Sequence, residues 1–195
     1  REIQPLPWAP LPLTLPYSGN LGFAHDTGTL REAMLALRAD SRFRFIFSGG
    51  GPQKRDMEAF CNAHVLSQAE FRPYCERGIL GQSLSEGHLG LVTQKPETVG
   101  SVVPSKVYGI MAAGRPILYI GSCHATPARI IDRFRCGWYI EAGDSKSLVT
   151  LLRWLVDHPE EVRGAGERAR QAFLENFDRP LGVARIVSIL RLEEA

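Results

Sequence analysis

Three short stretches of the 195-residue chain combine residue types suited to holding an anion. In Pro104-Ser105-Lys106, proline and serine carry helix-start chemistry ahead of the apolar run Val107 to Ala113. A lysine in a first helical turn opposes the macrodipole at a cost of about 0.3–1 kcal/mol, and a bound anion reverses that sign. First-turn amides, the Ser105 hydroxyl and the Lys106 ammonium together supply the donors and the charge that a diphosphate needs. The second stretch, Tyr17-Ser18-Gly19-Asn20-Leu21-Gly22, has two glycines that let a backbone turn tightly and approach a ligand. The third, Ser48-Gly49-Gly50-Gly51-Pro52, can cradle an anion or a sugar through its amides, yet matches neither GxxxxGK[ST] nor GxGxxG. Each has a plain alternative: a solvated lysine, a strand-to-helix turn, a flexible corner.

The residues after Lys106 are small and apolar, as close packing of a helix requires. Gly109 interrupts them at a cost of roughly 0.8–1 kcal/mol relative to alanine, which points to a close approach or a lost side chain. Gly114 reads as the helix stop, with Arg115-Pro116 leading into the next strand. His88, His124 and His158 fall in predicted loops or helix ends and read as surface residues. No Ser/His/Asp order and no carboxylate pair in a recognisable motif supports hydrolysis. Cys61, Cys75, Cys123 and Cys136 contain no CxxC pair and read as reduced thiols.

The elements that must position these loops alternate in the manner of a parallel sheet wrapped by helices. Strands are predicted at Leu13 to Ser18, Phe43 to Ser48, Ala69 to Arg72, Leu89 to Thr93, Pro116 to Ile120 and Gly137 to Ile140. Helices are predicted at Thr27 to Arg38, Pro52 to Ala63, Glu76 to Leu84, Ser105 to Ala113, Pro127 to Phe134 and Ser145 to Asp157, with two more from Glu160 to Asn176 and Pro180 to Leu192. The expected class is α/β: a Rossmann-like, doubly wound parallel sheet of about six strands with extra C-terminal helices. In such a sheet, ligands bind beyond the carboxyl ends of the strands, where all three loops fall.

Prolines at 5, 7, 10, 12 and 16 make residues 1–12 read as an extended connector, leaving 13–195 as the folded domain. The start at Arg1, without methionine or signal-peptide core, reads as a piece of something longer. Hydrophobic residues make up 44% and charged residues 23%, a composition that folds. A net charge of +2 with interspersed signs speaks against nucleic acid as partner, and the longest apolar run, Ile110 to Ile120, is too short to span a bilayer.

Taken in order, YSGNLG, FIFSGGGP, FRPY, VVPSKVYGIMAAGRPILY and GWYIEAGDSKSL resemble the C-terminal, donor-binding domain of GT-B glycosyltransferases. The chain is most similar to the retaining, family-4-like enzymes of bacterial capsule and exopolysaccharide synthesis, and the resemblance runs from Leu13 to the end. It implies transfer of a sugar from a UDP- or GDP-linked donor to a glycan or lipid-linked acceptor, no cofactor or bound metal, and an acceptor domain outside this chain. It implies that Gly19, Asn20 and Gly22 lie against the donor diphosphate from one side and Ser105 and Lys106 from the other. Arg72, Pro73 and Tyr74 would meet the nucleotide base, largely through backbone groups. Gly109 stands where relatives carry a glutamate for the ribose, and Ser101 where they carry a second. Asn20 and His25 replace a basic pair of the first loop, and His25 and Glu97 are candidates to face the donor sugar. A cytoplasmic location follows, with the parent enzyme peripheral on the inner face of the membrane, and this chain alone is expected to be inactive. A non-catalytic Rossmann-like interaction module and a GT-B sugar-nucleotide epimerase are the alternatives.

Overall fold

The computed structural model describes residues 12–76 and 80–192, so the connector expected over 1–12 lies outside the described residues but for Pro12. Six strands are present: β1 (Leu13–Asn20), β2 (Phe43–Gly50), β3 (Ala69–Arg72), β4 (Gly90–Thr93), β5 (Ile117–Ile120) and β6 (Gly137–Ile140). All ladder pairs are parallel, in two sheets ordered β1-β2-β3 and β4-β5-β6. β1 and β4 lie side by side, which gives a strand order of β3-β2-β1-β4-β5-β6.

The expected single six-stranded sheet is thus divided at β1/β4, for a local reason. Pro16 in the middle of β1 has no N–H to give a neighbour. The ladder is replaced by a clamp in which the His88 N–H donates to the Thr14 carbonyl at 2.8 Å, while the Thr14 N–H donates to His88 Nδ1 at 3.0 Å. Gly87 packs so tightly on the Pro16 ring that a Cβ there would overlap it. His88, read as a surface residue from its loop context, is buried and structural.

Helices cover both faces. α1 (Gly28–Ala36), α2 (Pro52–Ala63) and α6 (Ser145–Asp157) bury Leu30, Met34, Met57, Leu148 and Leu152 against the inward residues of β1 and β2, of which Leu13, Leu15, Tyr17 and Phe43, Phe45, Phe47 recur with period two. α4 (Lys106–Ala112), α5 (Thr126–Phe134) and α7 (Pro159–Asn176) build the opposite core from Val107, Ile110, Met111, Ile130, Ile131, Ala169 and Ala172 with Val92, Ile117 and Tyr119. α3 (Leu80–Ser85) packs on α4, and α8 (Arg179–Leu192) ends the described chain. The helix predicted from Glu76 to Leu84 is described over Leu80–Ser85; Glu76 is not helical and 77–79 lie outside the described residues. A 3₁₀ turn at Pro96–Thr98, not predicted, follows β4. Among the described residues, no helix is long and apolar enough to cross a membrane.

Candidate functional site

The strand order reverses between β1 and β4, and the carboxyl ends of these strands frame a crevice of the kind in which doubly wound sheets bind ligands. Two of the three loops reach it. Gly19 and Asn20 close β1, and Lys106 opens α4 from the other side. The Lys106 side chain lies directly over Gly19: a Cβ on that glycine would stand 2.9 Å from Lys106 Cε. Its ammonium sits 4.8 Å from the centre of the Tyr17 ring, a cation–π contact, and 3.5 Å from His25 Nε2.

His25 is held from several directions. The Thr93 carbonyl, 2.7 Å from Nδ1, can only accept, so Nδ1 carries the proton and Nε2 of the neutral ring presents a lone pair. Tyr17 donates its phenolic proton to the Asn20 carbonyl at 2.8 Å and has none left for Nε2, 3.2 Å away. Lys106 is therefore the donor that faces Nε2. Burial, then the Lys106 charge, lowers the His25 pKa against the opposing pull of the bonds to Thr93 and Asn20. Burial likewise lowers the Lys106 pKa, and burial with the nearby Tyr74 raises that of Tyr17.

The second glycine loop braces the first. Leu21 donates to the Gly50 carbonyl and Gln53 to the Leu21 carbonyl. The Gln53 side chain donates to the carbonyls of His25 (2.8 Å) and Gly22 (3.3 Å) and accepts from Thr27 Oγ1 (2.8 Å). Gly49, at φ 125°, holds a conformation that L side chains rarely adopt, and a Cβ there would overlap the Gly19 carbonyl. The triple-glycine loop is thus a rigid support of the site.

The remaining candidates are distributed as follows. Ser105 is exposed, already helical in its backbone, and its hydroxyl makes no cap bond. Gly22 and Asn20 line the rim of the first loop, with Asn20 exposed. Arg72 is gripped by Glu70 at 2.5 Å and by Glu86 at 2.6 and 2.9 Å, and its carbonyl accepts from Lys54 Nζ, so its charge is spent within the fold. Pro73 and Tyr74 are exposed, with the Tyr74 ring against Gly50. Glu97 is exposed on the 3₁₀ turn. Ser101 is exposed on the loop that follows. Gly109 admits a close approach by α3, since a Cβ there would meet Leu84 Cδ1 at 3.2 Å. Beside it, Pro16, Ser18, Leu84, Leu91, Ser105, Lys106 and Ile110 enclose a cavity of about 210 Å³.

The sequence assigns no role to the Tyr17 side chain, although Tyr17 opens one of the glycine stretches, nor to Thr93, which ends a predicted strand. The available signal was position: they stand at or near the carboxyl ends of the two strands flanking the reversal of strand order. Gln53, behind a proline that opens a helix, had no such signal.

No family model matches the chain. Among curated proteins it is 24% identical over 180 residues to the probable glycosyltransferase WbjE of Pseudomonas aeruginosa, covering 90% of this chain and 43% of that protein. It is 28% identical over 118 residues to the putative colanic acid biosynthesis glycosyl transferase WcaI of Escherichia coli, covering 60% of this chain and 29% of that one. The chain therefore spans less than half the length of these relatives. Among solved structures, Anabaena HepE in complex with UDP-glucose superposes with a TM-score of 0.75 at 15% identity over 92% of this chain and 48% of HepE. The C-terminal domain of the group 1 glycosyl transferase LpcC of Francisella tularensis superposes with a TM-score of 0.69 at 14% identity, covering 85% of this chain and 86% of that domain. A parallel sheet whose order reverses at β1/β4, covered on both faces and matched over 85% of this chain by an isolated glycosyltransferase C-terminal domain, gives this chain the fold of the C-terminal domain of GT-B glycosyltransferases.

Proposed function

We propose that the crevice between β1 and β4 binds the diphosphate of a nucleotide sugar, and that the chain is the donor half of a glycosyltransferase acting on a polysaccharide or lipid-linked acceptor. The observation that carries this reading is the convergence of Lys106 Nζ and His25 Nε2, 3.5 Å apart, above Gly19, which has no side chain to keep a ligand away. An anion seated there meets a half-buried ammonium and a bare stretch of backbone, with the His25 ring at its edge. As a sugar leaves its donor, charge develops on the departing diphosphate, and a fixed cation in a partly dehydrated crevice stabilises that charge more than it stabilises the intact donor.

Gly19, Asn20 and Gly22 form the wall on the β1 side, with Ser105 and Lys106 opposite. Gly109 and the neighbouring 210 Å³ cavity receive the nucleoside, and Arg72 to Tyr74 the base edge. Glu97 is assigned to the donor sugar. Likeness to HepE, solved with UDP-glucose, supports the ligand class. The relatives' length supports an acceptor domain elsewhere in the parent protein, so this chain alone binds donor without transferring sugar. The parent works on the cytoplasmic face of the membrane and serves exopolysaccharide assembly, in keeping with the colanic acid role ascribed to WcaI.

Calorimetry with UDP, GDP, UDP-glucose and GDP-mannose tests the reading. Binding by at least one, lost on Lys106→Ala in a protein that remains folded, is the expected result. No binding by any of them at millimolar concentration would remove the reading.

A further inference from the structure

His25 is the unusual member of the cluster. Its Nδ1–H is committed to Thr93, and its Nε2, the atom that faces the crevice, presents only a lone pair in the neutral ring. A phosphate oxygen is an acceptor too, so a neutral His25 would set two lone pairs against each other. Exchanging tautomers is costly, because moving the proton to Nε2 would give up the 2.7 Å bond to the Thr93 carbonyl and leave Nδ1 to accept from the Thr93 hydroxyl at 3.3 Å. Tyr17 restrains the ring on one side, meeting it edge-on with ring centres 5.6 Å apart, while Gln53 holds the His25 backbone carbonyl.

We propose, building on the nucleotide-sugar reading, that His25 is a binding residue for the donor diphosphate and takes up a proton from solvent as the diphosphate enters, so that one proton is bound with each donor. In the free site, Lys106 donates toward Nε2. In the occupied site, Lys106 and the newly formed imidazolium both donate to phosphate oxygens, and the two cations, otherwise in mutual repulsion, are held together by the anion between them. No covalent bond changes.

The groups facing His25 allow this assignment. From β1 come Tyr17 and the Asn20 carbonyl, which takes the Tyr17 proton and is also an acceptor within reach of the protonated ring; from α4, Lys106; from β4, the uncharged Thr93; from α2, the uncharged Gln53. Lys95, just after β4, ties its N–H to the Ala24 carbonyl. On the ring's own loop, the Asp26 carboxylate accepts from the Gly28 N–H and from Thr29 Oγ1. Among these described contacts no carboxylate is bonded to the ring, and the ligand brings the charge that draws the proton in.

The probes are UDP-glucose and GDP-mannose, whose pyrophosphate diesters have no proton of their own to exchange near neutral pH. Affinities are measured by calorimetry from pH 5.5 to 8 for the wild-type chain, His25→Lys and His25→Gln, in buffers of different ionisation enthalpy. Wild-type affinity is expected to fall toward about tenfold per pH unit across the window between the free and bound His25 pKa values, with proton uptake approaching one. His25→Lys keeps the affinity with a flat profile; His25→Gln is flat and weaker. Wild-type binding that is flat with pH and takes up no proton overturns the inference while leaving the nucleotide-sugar reading intact. Absence of binding by either probe at every pH overturns that reading and this inference with it.

Discussion

Lys106 Cε occupies the space immediately above Gly19, so the absence of a side chain on one residue is what admits the charge of the other to the crevice. Neither signal is specific alone. A lysine at a helix start is mostly solvated, and a glycine after a strand mostly turns the chain. Their juxtaposition across the β1/β4 boundary is what supports the anion site proposed above.

The first prediction follows from that contact. Lys106→Met keeps the aliphatic stem over Gly19 and the Tyr17 ring while deleting the charge. A hydrogen bond to a charged group contributes about 1.5–3 kcal/mol, so UDP-glucose affinity should fall by about 10–100-fold. Calorimetry reads the affinity, and circular dichroism should show an unaltered fold. An unchanged dissociation constant would contradict the role given to Lys106.

Gly49 offers a test of the scaffold. An alanine there must adopt φ near 125° and place its Cβ into the Gly19 carbonyl, against a neighbouring strand that cannot move without breaking the β1–β2 ladder. Strain and overlap together should cost about 3 kcal/mol or more, and urea unfolding should show the midpoint falling accordingly. Gly100→Ala is the control, since no atom lies within 4 Å of its Cβ position, although its φ of 90° carries some strain.

In the unliganded protein, the lowered His25 pKa fixes a pH dependence of stability. The ring of the unfolded chain gains its proton near 6.5 whereas the folded ring gains it only at lower pH, so below 6.5 the unfolded state binds more protons. Stability from this group is complete above pH 6.5 and is lost as pH falls from there through the folded value. Urea midpoints at pH 7.5 and 5.5 should show a larger acid loss for wild type than for His25→Gln. Equal losses would argue against a buried neutral ring.

Most of the scaffold was legible because its signals are local. Phe43, Phe45 and Phe47 alternate with polar or smaller residues, and Pro52 opens a helix after three glycines, so β2 and α2 start where predicted, although β2 runs on past Ser48 to Gly50. What escaped depends on partners distant in sequence. His88 is buried because Thr14, 74 residues earlier, offers both a donor and an acceptor where Pro16 has broken the ladder. The Tyr17, His25 and Lys106 cluster joins three elements, and no periodicity in any one of them could reveal it. Arg72 carries a charge that the sequence leaves free and that Glu70 and Glu86 neutralise in the fold.

The cysteines divide by environment. Cys61 and Cys136 are buried, and burial pushes both thiols up to about 11, far from the thiolate form at neutral pH. Cys75 and Cys123 are partly exposed, and the Glu141 carboxylate beside Cys123 raises its pKa. A thiol reagent at pH 7.5 should label Cys75 before Cys123 and leave the other two until the protein is unfolded. Mass mapping of the labelled peptides checks the order, and early modification of Cys136 would contradict its burial beneath α7.

The cavity beside Gly109 bears on nucleotide choice. Pro16, Leu84, Leu91 and Ile110 give it apolar walls, its hydroxyls come from Ser18 and Ser105, and no carboxylate is among the described residues lining it. If the nucleoside lies there, the vicinal diol of ribose finds no strong acceptor, so removing one hydroxyl forfeits little. UDP and 2′-deoxy-UDP should then bind within about threefold of each other, under 1 kcal/mol. Gly109→Glu would introduce the acceptor: its Cβ meets only the mobile end of Leu84, and its carboxylate would reach the cavity that Gly109 lines. That variant should favour UDP over the deoxy form by about tenfold, the scale of one hydrogen bond to a charged group. A wild-type preference for UDP of that size would mean that the ribose lies elsewhere along the crevice.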